Sequence, residues 1–336
     1  MKSGLLVRVL AVFSVTGILF GASNSVTAVS GPQLGLIFDP AAGGLRPVRG
    51  IPGAASTGDT IGLGFRISSA AISPSQDAAL VVNAKSGAVS LIRAAGDEWS
   101  VNALAGAAPA PDRITFSASG SVAALYYRTG SVQVFAGLPA APVRASEIDV
   151  SAISGRVSAM AVDDAATYLL LGASQAGLAL LYRVTSNSTP VALGSFQSVS
   201  ALRIFDASQR ALVIDGAAST LYQIADPADA AVATVIAAPR DGLQSLVGAD
   251  TDASGQRIFA AAGNGQIYIL TGSGGAPAII DCGCAPTGLY RLAGPAVFRL
   301  TEIEGGPFQV LDATLAPRIL AVPPPADAVA PQEARR

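Results

Sequence analysis

The strongest constraint in this sequence is a short apolar run that returns at a nearly constant interval. Leu80-Val81-Val82, Leu125-Tyr126-Tyr127, Leu169-Leu170-Leu171, Leu212-Val213-Ile214, Ile258-Phe259-Ala260 and Val297-Phe298-Arg299 begin 45, 44, 43, 46 and 39 residues apart. A fixed period of this size means that one supersecondary unit is repeated and that neighbouring copies bury each other's apolar faces. A second apolar run follows each first one, at 89–92, 132–135, 178–182, 221–224, 267–270 and 308–311. Between most pairs lies a glycine-bearing turn such as Ser86-Gly87, Thr129-Gly130 or Asn264-Gly265, so each pair predicts a hairpin.

A polar turn precedes the first strand of most hairpins: Ser73-Pro74-Ser75, Ser117-Ala118-Ser119-Gly120, Asp163-Asp164, Asp206-Ala207-Ser208 and Asp252-Ala253-Ser254-Gly255. Side-chain oxygens there accept hydrogen bonds from backbone N–H groups two residues on and fix a reversal into the strand. One further apolar run leads into the turn, as in 157–162, and another follows some hairpins, as in 232–236. Four strands in about 44 residues is the size of a propeller blade, so the fold class is all-β, a β-propeller of four-stranded antiparallel blades. Helical repeats would show spacings of three and four without a glycine turn every ten residues or so, and a sandwich would not keep the period. An additional hairpin at 34–50 lacks the two strands that should precede it, and pairing with the last blade is expected, as a way to close the ring. Six full units plus this half unit favour seven blades, with six the alternative.

Residues 1–28 read as a signal peptide. Lys2 and Arg8 form a positive region, 9–20 an apolar core and Val26-Thr27-Ala28 a small-residue cleavage site, with cleavage near Ala28. Arg8 breaks the run below the roughly 20 residues of a membrane span. The expected organisation is therefore signal 1–28, a single propeller 29–322 and a mobile tail 323–336 opened by Pro323-Pro324-Pro325. The mature chain is expected to be periplasmic or secreted, without a membrane span, and monomeric.

Composition removes several chemistries. With no histidine in 336 residues, Ser-His-Asp and Cys-His catalysis and histidine-ligated zinc or haem are unavailable. At 51% hydrophobic and 13% charged the chain is not a disordered one, and a net charge of −2 provides no basic field for nucleic acid.

Ile72-Ser73-Pro74-Ser75, then Ala79-Leu80-Val81-Val82-Asn83, then Gly87-Ala88-Val89-Ser90-Leu91-Ile92 resembles the bacterial YVTN-type β-propeller repeat, and the layout recurs along most of the mature chain. The resemblance implies an extracytoplasmic propeller used for surface display or ligand binding, with some relatives acting as lactonases. With one tryptophan, Trp99, the chain carries neither the WD signature nor the repeated tryptophans of quinone-cofactor propellers.

Few residues carry a chemical pattern. Asp250, Asp252, Ser254 and Gly255 match the opening of a calcium loop, but Ala261 stands where the bidentate glutamate belongs. A structural turn is the default there, and a calcium or other divalent cation the weaker candidate; no other cofactor is indicated. Cys282 and Cys284 flank Gly283 near the outer limit of disulfide geometry, leaving open a small-loop disulfide, unpaired buried thiols, or redox or metal chemistry. Glu302 and Glu304 could act as an acid and base pair, with solvated turn acids as the ordinary reading. Arg46, Arg49 and Arg66 could hold an anion, with ordinary surface arginines as the default.

No residue is assigned as catalytic. The leading expectation is a non-enzymatic scaffold that binds a protein, glycan or small ligand where loops of successive blades converge. The alternative is a metal-assisted hydrolase or lactonase using channel carboxylates, and a third reading is a structural part of an envelope assembly.

Overall fold

The computed structural model describes residues 31–95, 98–271, 276–303 and 306–325. Residues 1–28, read above as a signal peptide, Glu304, and the tail beyond Pro325 lie outside them.

The described chain forms seven antiparallel sheets in sequence order. The first has three strands, β1 (Gln33–Asp39), β2 (Gly44–Ile51) and β3 (Ala54–Thr57). The second contains β4 (Ile67–Ile72), β5 (Ala78–Asn83), β6 (Val89–Ala95) and β7 (Glu98–Ala103); the third β8 (Arg113–Phe116), β9 (Val122–Tyr127), β10 (Ser131–Ala136) and β11 (Val143–Asp149). The fourth contains β12 (Arg156–Val162), β13 (Leu169–Gln175), β14 (Leu178–Val184) and β15 (Val191–Phe196); the fifth β16 (Ala201–Phe205), β17 (Arg210–Asp215), β18 (Thr220–Ala225) and β19 (Val232–Ala237). The sixth contains β20 (Leu246–Thr251), β21 (Arg257–Ala262), β22 (Gln266–Thr271) and β23 (Ala278–Asp281); the seventh β24 (Tyr290–Arg291), β25 (Val297–Arg299), β26 (Phe308–Asp312) and β27 (Arg318–Val322). This is a seven-bladed β-propeller. The first strand of each blade lies innermost, and apart from one 3-10 turn at Pro239–Asp241 no helix occurs among the described residues. None there is long and apolar enough to cross a membrane.

The recurrent apolar runs are the second strands of the blades. β9 is buried along its whole length, and β5, β17 and β21 at five of six positions. Such strands are apolar without alternation because a neighbouring blade covers each of their two faces. The outermost strand is covered less, and β19 exposes four of its six residues. The core is accordingly divided into seams. Seven apolar clusters each join two adjacent blades, including one between the seventh and the first that contains Leu34, Ile37, Val310 and Phe308.

The hairpin at 34–50 corrects the expectation about closure. It does not pair with the last blade but forms the first blade with β3, while β27 completes the seventh. The physical reason is that its apolar run serves two seams. Leu36 packs toward the second blade, and Leu34 and Ile37 toward the seventh. The ring is thus closed by side chains and isolated hydrogen bonds, among them Ala293 N–H to the Leu34 carbonyl at 2.7 Å. The buried Gln76 side chain adds two more. Its Oε1 accepts from Leu36 N–H at 2.8 Å and its Nε2 donates to the Arg291 carbonyl at 2.6 Å. Gly35 makes room for it, since a Cβ there would stand 2.5 Å from Gln76 Oε1.

The polar turns fold locally as their side chains dictate, with a longer reach than two residues. The buried Asp163 carboxylate accepts from Thr167 N–H at 2.8 Å, Tyr168 N–H at 3.0 Å and the Thr167 hydroxyl at 2.7 Å.

Candidate functional site

The inner strands surround a central channel of about 550 Å³. Its walls are mostly apolar or small side chains, and charge enters at a few points. Arg113 lies on β8, Arg203 on β16, Asp250 on β20 and Arg291 on β24, with Arg299 and Glu302 from the seventh blade at the same cavity. Four guanidinium groups against two carboxylates leave the channel with an excess of positive charge.

Asp250 sits between arginines from the two neighbouring blades. Its Oδ1 lies 3.2 Å from Arg203 Nε of the fifth blade and 3.0 Å from Arg291 Nη2 of the seventh. The same oxygen accepts from Thr251 N–H at 2.8 Å. The Asp250 side chain is 6% exposed, so these cations compensate a carboxylate that water hardly reaches. Arg291 also donates to the Thr251 carbonyl, and its guanidinium lies 5.1 Å from the Phe298 ring centre. Arg203 is held less firmly. Its Nε is buried without a hydrogen bond, the approach to Asp250 being an ion pair out of line, and the side chain remains 22% exposed.

Nearby, Arg299 Nη1 donates to Glu302 at 2.5 Å and to the Thr301 carbonyl at 2.8 Å, and its guanidinium lies 4.2 Å from the Tyr290 ring centre. Burial and then Glu302 raise the Tyr290 phenol above its ordinary value, which keeps it a neutral donor. Across the channel, burial and then Arg156 lower the Arg113 pKa. Backbone proximity shapes the wall between the sixth and seventh blades, where a Cβ on Gly248 would come 2.6 Å from the Leu289 nitrogen.

The structure separates the two aspartates of the calcium-like motif. Asp250 enters the channel between guanidinium groups, whereas Asp252 serves its own turn, accepting from Ser254 Oγ at 2.7 Å, Gln256 N–H at 3.1 Å and Arg257 Nε at 3.0 Å. A cation at either carboxylate would have to compete with an arginine. Cys282 and Cys284 are joined as a disulfide with Cα atoms 5.1 Å apart. Glu302 is the partner of Arg299 rather than a solvated turn acid. Arg46 is buried, in contrast to the surface reading, with Nε 2.7 Å from the equally buried Asp39 carboxylate. Arg49 and Arg66 are exposed, and Arg66 donates to the Ala41 carbonyl at 3.2 Å.

Sequence reasoning missed Arg203 and Arg291. Counting two residues back from each turn places Ile37, Ala71, Thr115, Ala161, Ile204, Asp250 and Arg291 in one column of the repeat. Two opposite charges in an otherwise uncharged column, one repeat apart, are the signal that would have paired Asp250 with Arg291.

Solved structures of low sequence identity share the fold. A functionally unknown protein from Desulfotomaculum acetoxidans gives a TM-score of 0.62 at 10% identity, over 87% of this chain and 100% of the other. A protein from Lactobacillus plantarum gives 0.59 at 10% identity, over 87% and 96%. A protein from Bacteroides fragilis whose 6-phosphogluconolactonase assignment is provisional gives 0.54 at 13% identity, over 87% and 94%. At such identities the likeness speaks for the seven-bladed propeller alone. No protein-family model and no curated protein matches the sequence.

Proposed function

We propose that this chain is an exported, non-enzymatic binding scaffold whose channel takes a small anionic ligand. The carrying observation is the charge of the channel lining, in which Arg113, Arg203, Arg291 and Arg299 outnumber the carboxylates Asp250 and Glu302. Guanidinium groups in a recess shielded from water bind carboxylate or phosphate oxygens through paired N–H donors. Arg203, ion-paired but not hydrogen-bonded, keeps its donors for such a ligand. The resemblance of 72–92 to the YVTN-type repeat supports ligand binding outside the cytoplasm. So does the Cys282–Cys284 disulfide, since such bonds persist in oxidising compartments.

The alternative, a metal-assisted hydrolase or lactonase, draws on the Bacteroides neighbour, whose identity of 13% carries the fold and not the chemistry. Without histidine its general base would be a channel carboxylate, and both Asp250 and Glu302 are engaged by arginines.

The test is thermal unfolding and calorimetric titration of the mature protein with a panel of small mono- and dicarboxylates and phosphate esters. A ligand of the folded form at a hundred times its Kd adds about 2.7 kcal/mol of stability. Arg203→Gln should abolish the gain. A panel without effect, together with lactone hydrolysis that a chelator stops, would replace this reading by the enzymatic one.

A further inference from the structure

A second cavity, of about 440 Å³, opens between the third and fourth blades. Three arginines reach it from separate points of the chain: Arg113 at the start of β8, Arg128 just after β9, and Arg156 at the start of β12. One carboxylate, Asp112, faces them. It accepts from the Arg128 N–H at 2.8 Å and lies 2.6 Å from Arg128 Nε, so it orients that guanidinium and neutralises one charge of the three. Arg113 is fixed differently, donating from Nε to the Val157 carbonyl of the fourth blade at 3.1 Å. The exposed Arg156 side chain donates no hydrogen bond and meets no carboxylate among the described residues.

Tyr126 provides an independent observation. The residue is 9% exposed, its ring belongs to the seam between the two blades, and it lines the cavity. Among the described residues its hydroxyl has no hydrogen-bond partner. The ring is held in the seam while the hydroxyl opens to the cleft, which places a fixed donor at its wall. Burial, and then the nearby Asp112, raise its pKa, so the hydroxyl keeps its proton.

We propose that this interblade cleft binds a tetrahedral oxyanion of the phosphate type, held by Arg113, Arg128 and Arg156 with the Tyr126 hydroxyl as a fourth donor. The excess of two positive charges in the cleft equals the charge of a phosphate dianion. A carboxylate satisfies one guanidinium fork with its two oxygens, whereas a tetrahedral anion offers edges to several forks at once. The site is separate from the Arg203–Asp250–Arg291 group, although Arg113 borders both cavities.

The experiment is calorimetric titration of the mature protein with inorganic phosphate and with methyl phosphate, against chloride at equal ionic strength. Saturable binding of phosphate is expected. Arg156→Gln should weaken it about tenfold and Tyr126→Phe about threefold, corresponding to the loss of a charged and a neutral hydrogen bond. Arg240→Gln, in the 3-10 turn and lining neither cavity, should leave it unchanged. Methyl phosphate binding as well would identify a phosphate ester, and binding of inorganic phosphate alone a free ion; either agrees with the proposal. Tyr126→Phe removes one exposed oxygen and keeps the ring in its seam, so it reads the site even if an arginine variant fails to fold. Unsaturable heats, or an affinity indifferent to both Arg156→Gln and Tyr126→Phe, would overturn it.

Discussion

The Gln76 side chain of the second blade accepts a 2.8 Å hydrogen bond from the backbone N–H of Leu36 in the first, and its other end donates to the seventh. One buried amide therefore ties three blades where the ring closes. Removing it leaves the Leu36 N–H and the Arg291 carbonyl without partners, which costs about 2 kcal/mol. Gln76→Ala should lower the unfolding temperature by about 3 °C in a chain of this size, measured by calorimetry. Gln76→Glu keeps the acceptor but sets an oxygen against the Arg291 carbonyl, so it should not restore stability. An unchanged unfolding temperature in both would show that packing alone closes the ring.

Asp163 organises the turn into β13 with three strong acceptor contacts while almost fully buried. Asp163→Ala should cost about 3 kcal/mol, since Thr167 and Tyr168 N–H groups lose a charged acceptor. Asp163→Asn, with one oxygen left, should fall between. Urea unfolding midpoints measure both.

Acid should destabilise the protein through specific carboxyls. For Asp252, burial raises the pKa, but hydrogen bonds from Ser254, Arg257 and Gln256 outweigh it and leave the group below the ordinary value. Asp312 behaves likewise, with burial opposed by Arg318 and Thr314. The unfolded chain then binds protons more readily than the folded one. The stabilisation is complete above the unfolded carboxyl value of about 4 and disappears as pH falls through the lower folded values. Urea midpoints against pH should show that fall, and Asp252→Asn should flatten it.

Base should act through the phenols. Burial and then Glu147 push Tyr127 up to about 12, and burial with Asp163 and Asp164 raises Tyr168 further. Their neutral forms stabilise the fold below the unfolded value of about 10, and that contribution vanishes as pH rises through the folded values. Phenolate absorbance should show these tyrosines ionising only with unfolding. Early titration of all seven tyrosines would contradict it.

The Cys282–Cys284 bond closes a very short loop, so reduction or a double change to serine should cost only about 1–2 kcal/mol. Thiol alkylation of the native, unreduced protein should find no reactive cysteine. Stoichiometric labelling of two thiols would refute the bond.

The blades were legible because their middle strands are buried on both faces, which forces runs such as Leu80-Val81-Val82 into the sequence at each repeat. Closure was not, because it depends on side chains such as Gln76, which stands in a turn where other repeats place Gly120, Ala166, Gln209 and Gly255, and acts across 215 positions. The short β3, Ala54–Thr57, has no apolar pattern and went unseen, leaving the first hairpin apparently without a sheet of its own. In the channel, Asp250 was noticed for its spacing from Asp252. Its partners Arg203 and Arg291 come from two other repeats; the register of the repeat ties Arg291 to it, and no such pattern ties Arg203.

The absence of a shared strand at the seam between the seventh and first blades has a topological consequence. The Pro32 carbonyl accepts from Gly50 N–H at 2.7 Å and the Pro323 carbonyl from the Thr57 hydroxyl at 2.9 Å, so both ends of the ring are moored to the same blade. A circularly permuted polypeptide, joined there by a linker and cut instead in the loop between β7 and β8, which joins two blades, would keep every sheet intact. The linear order of the blades is therefore separable from the wheel they make.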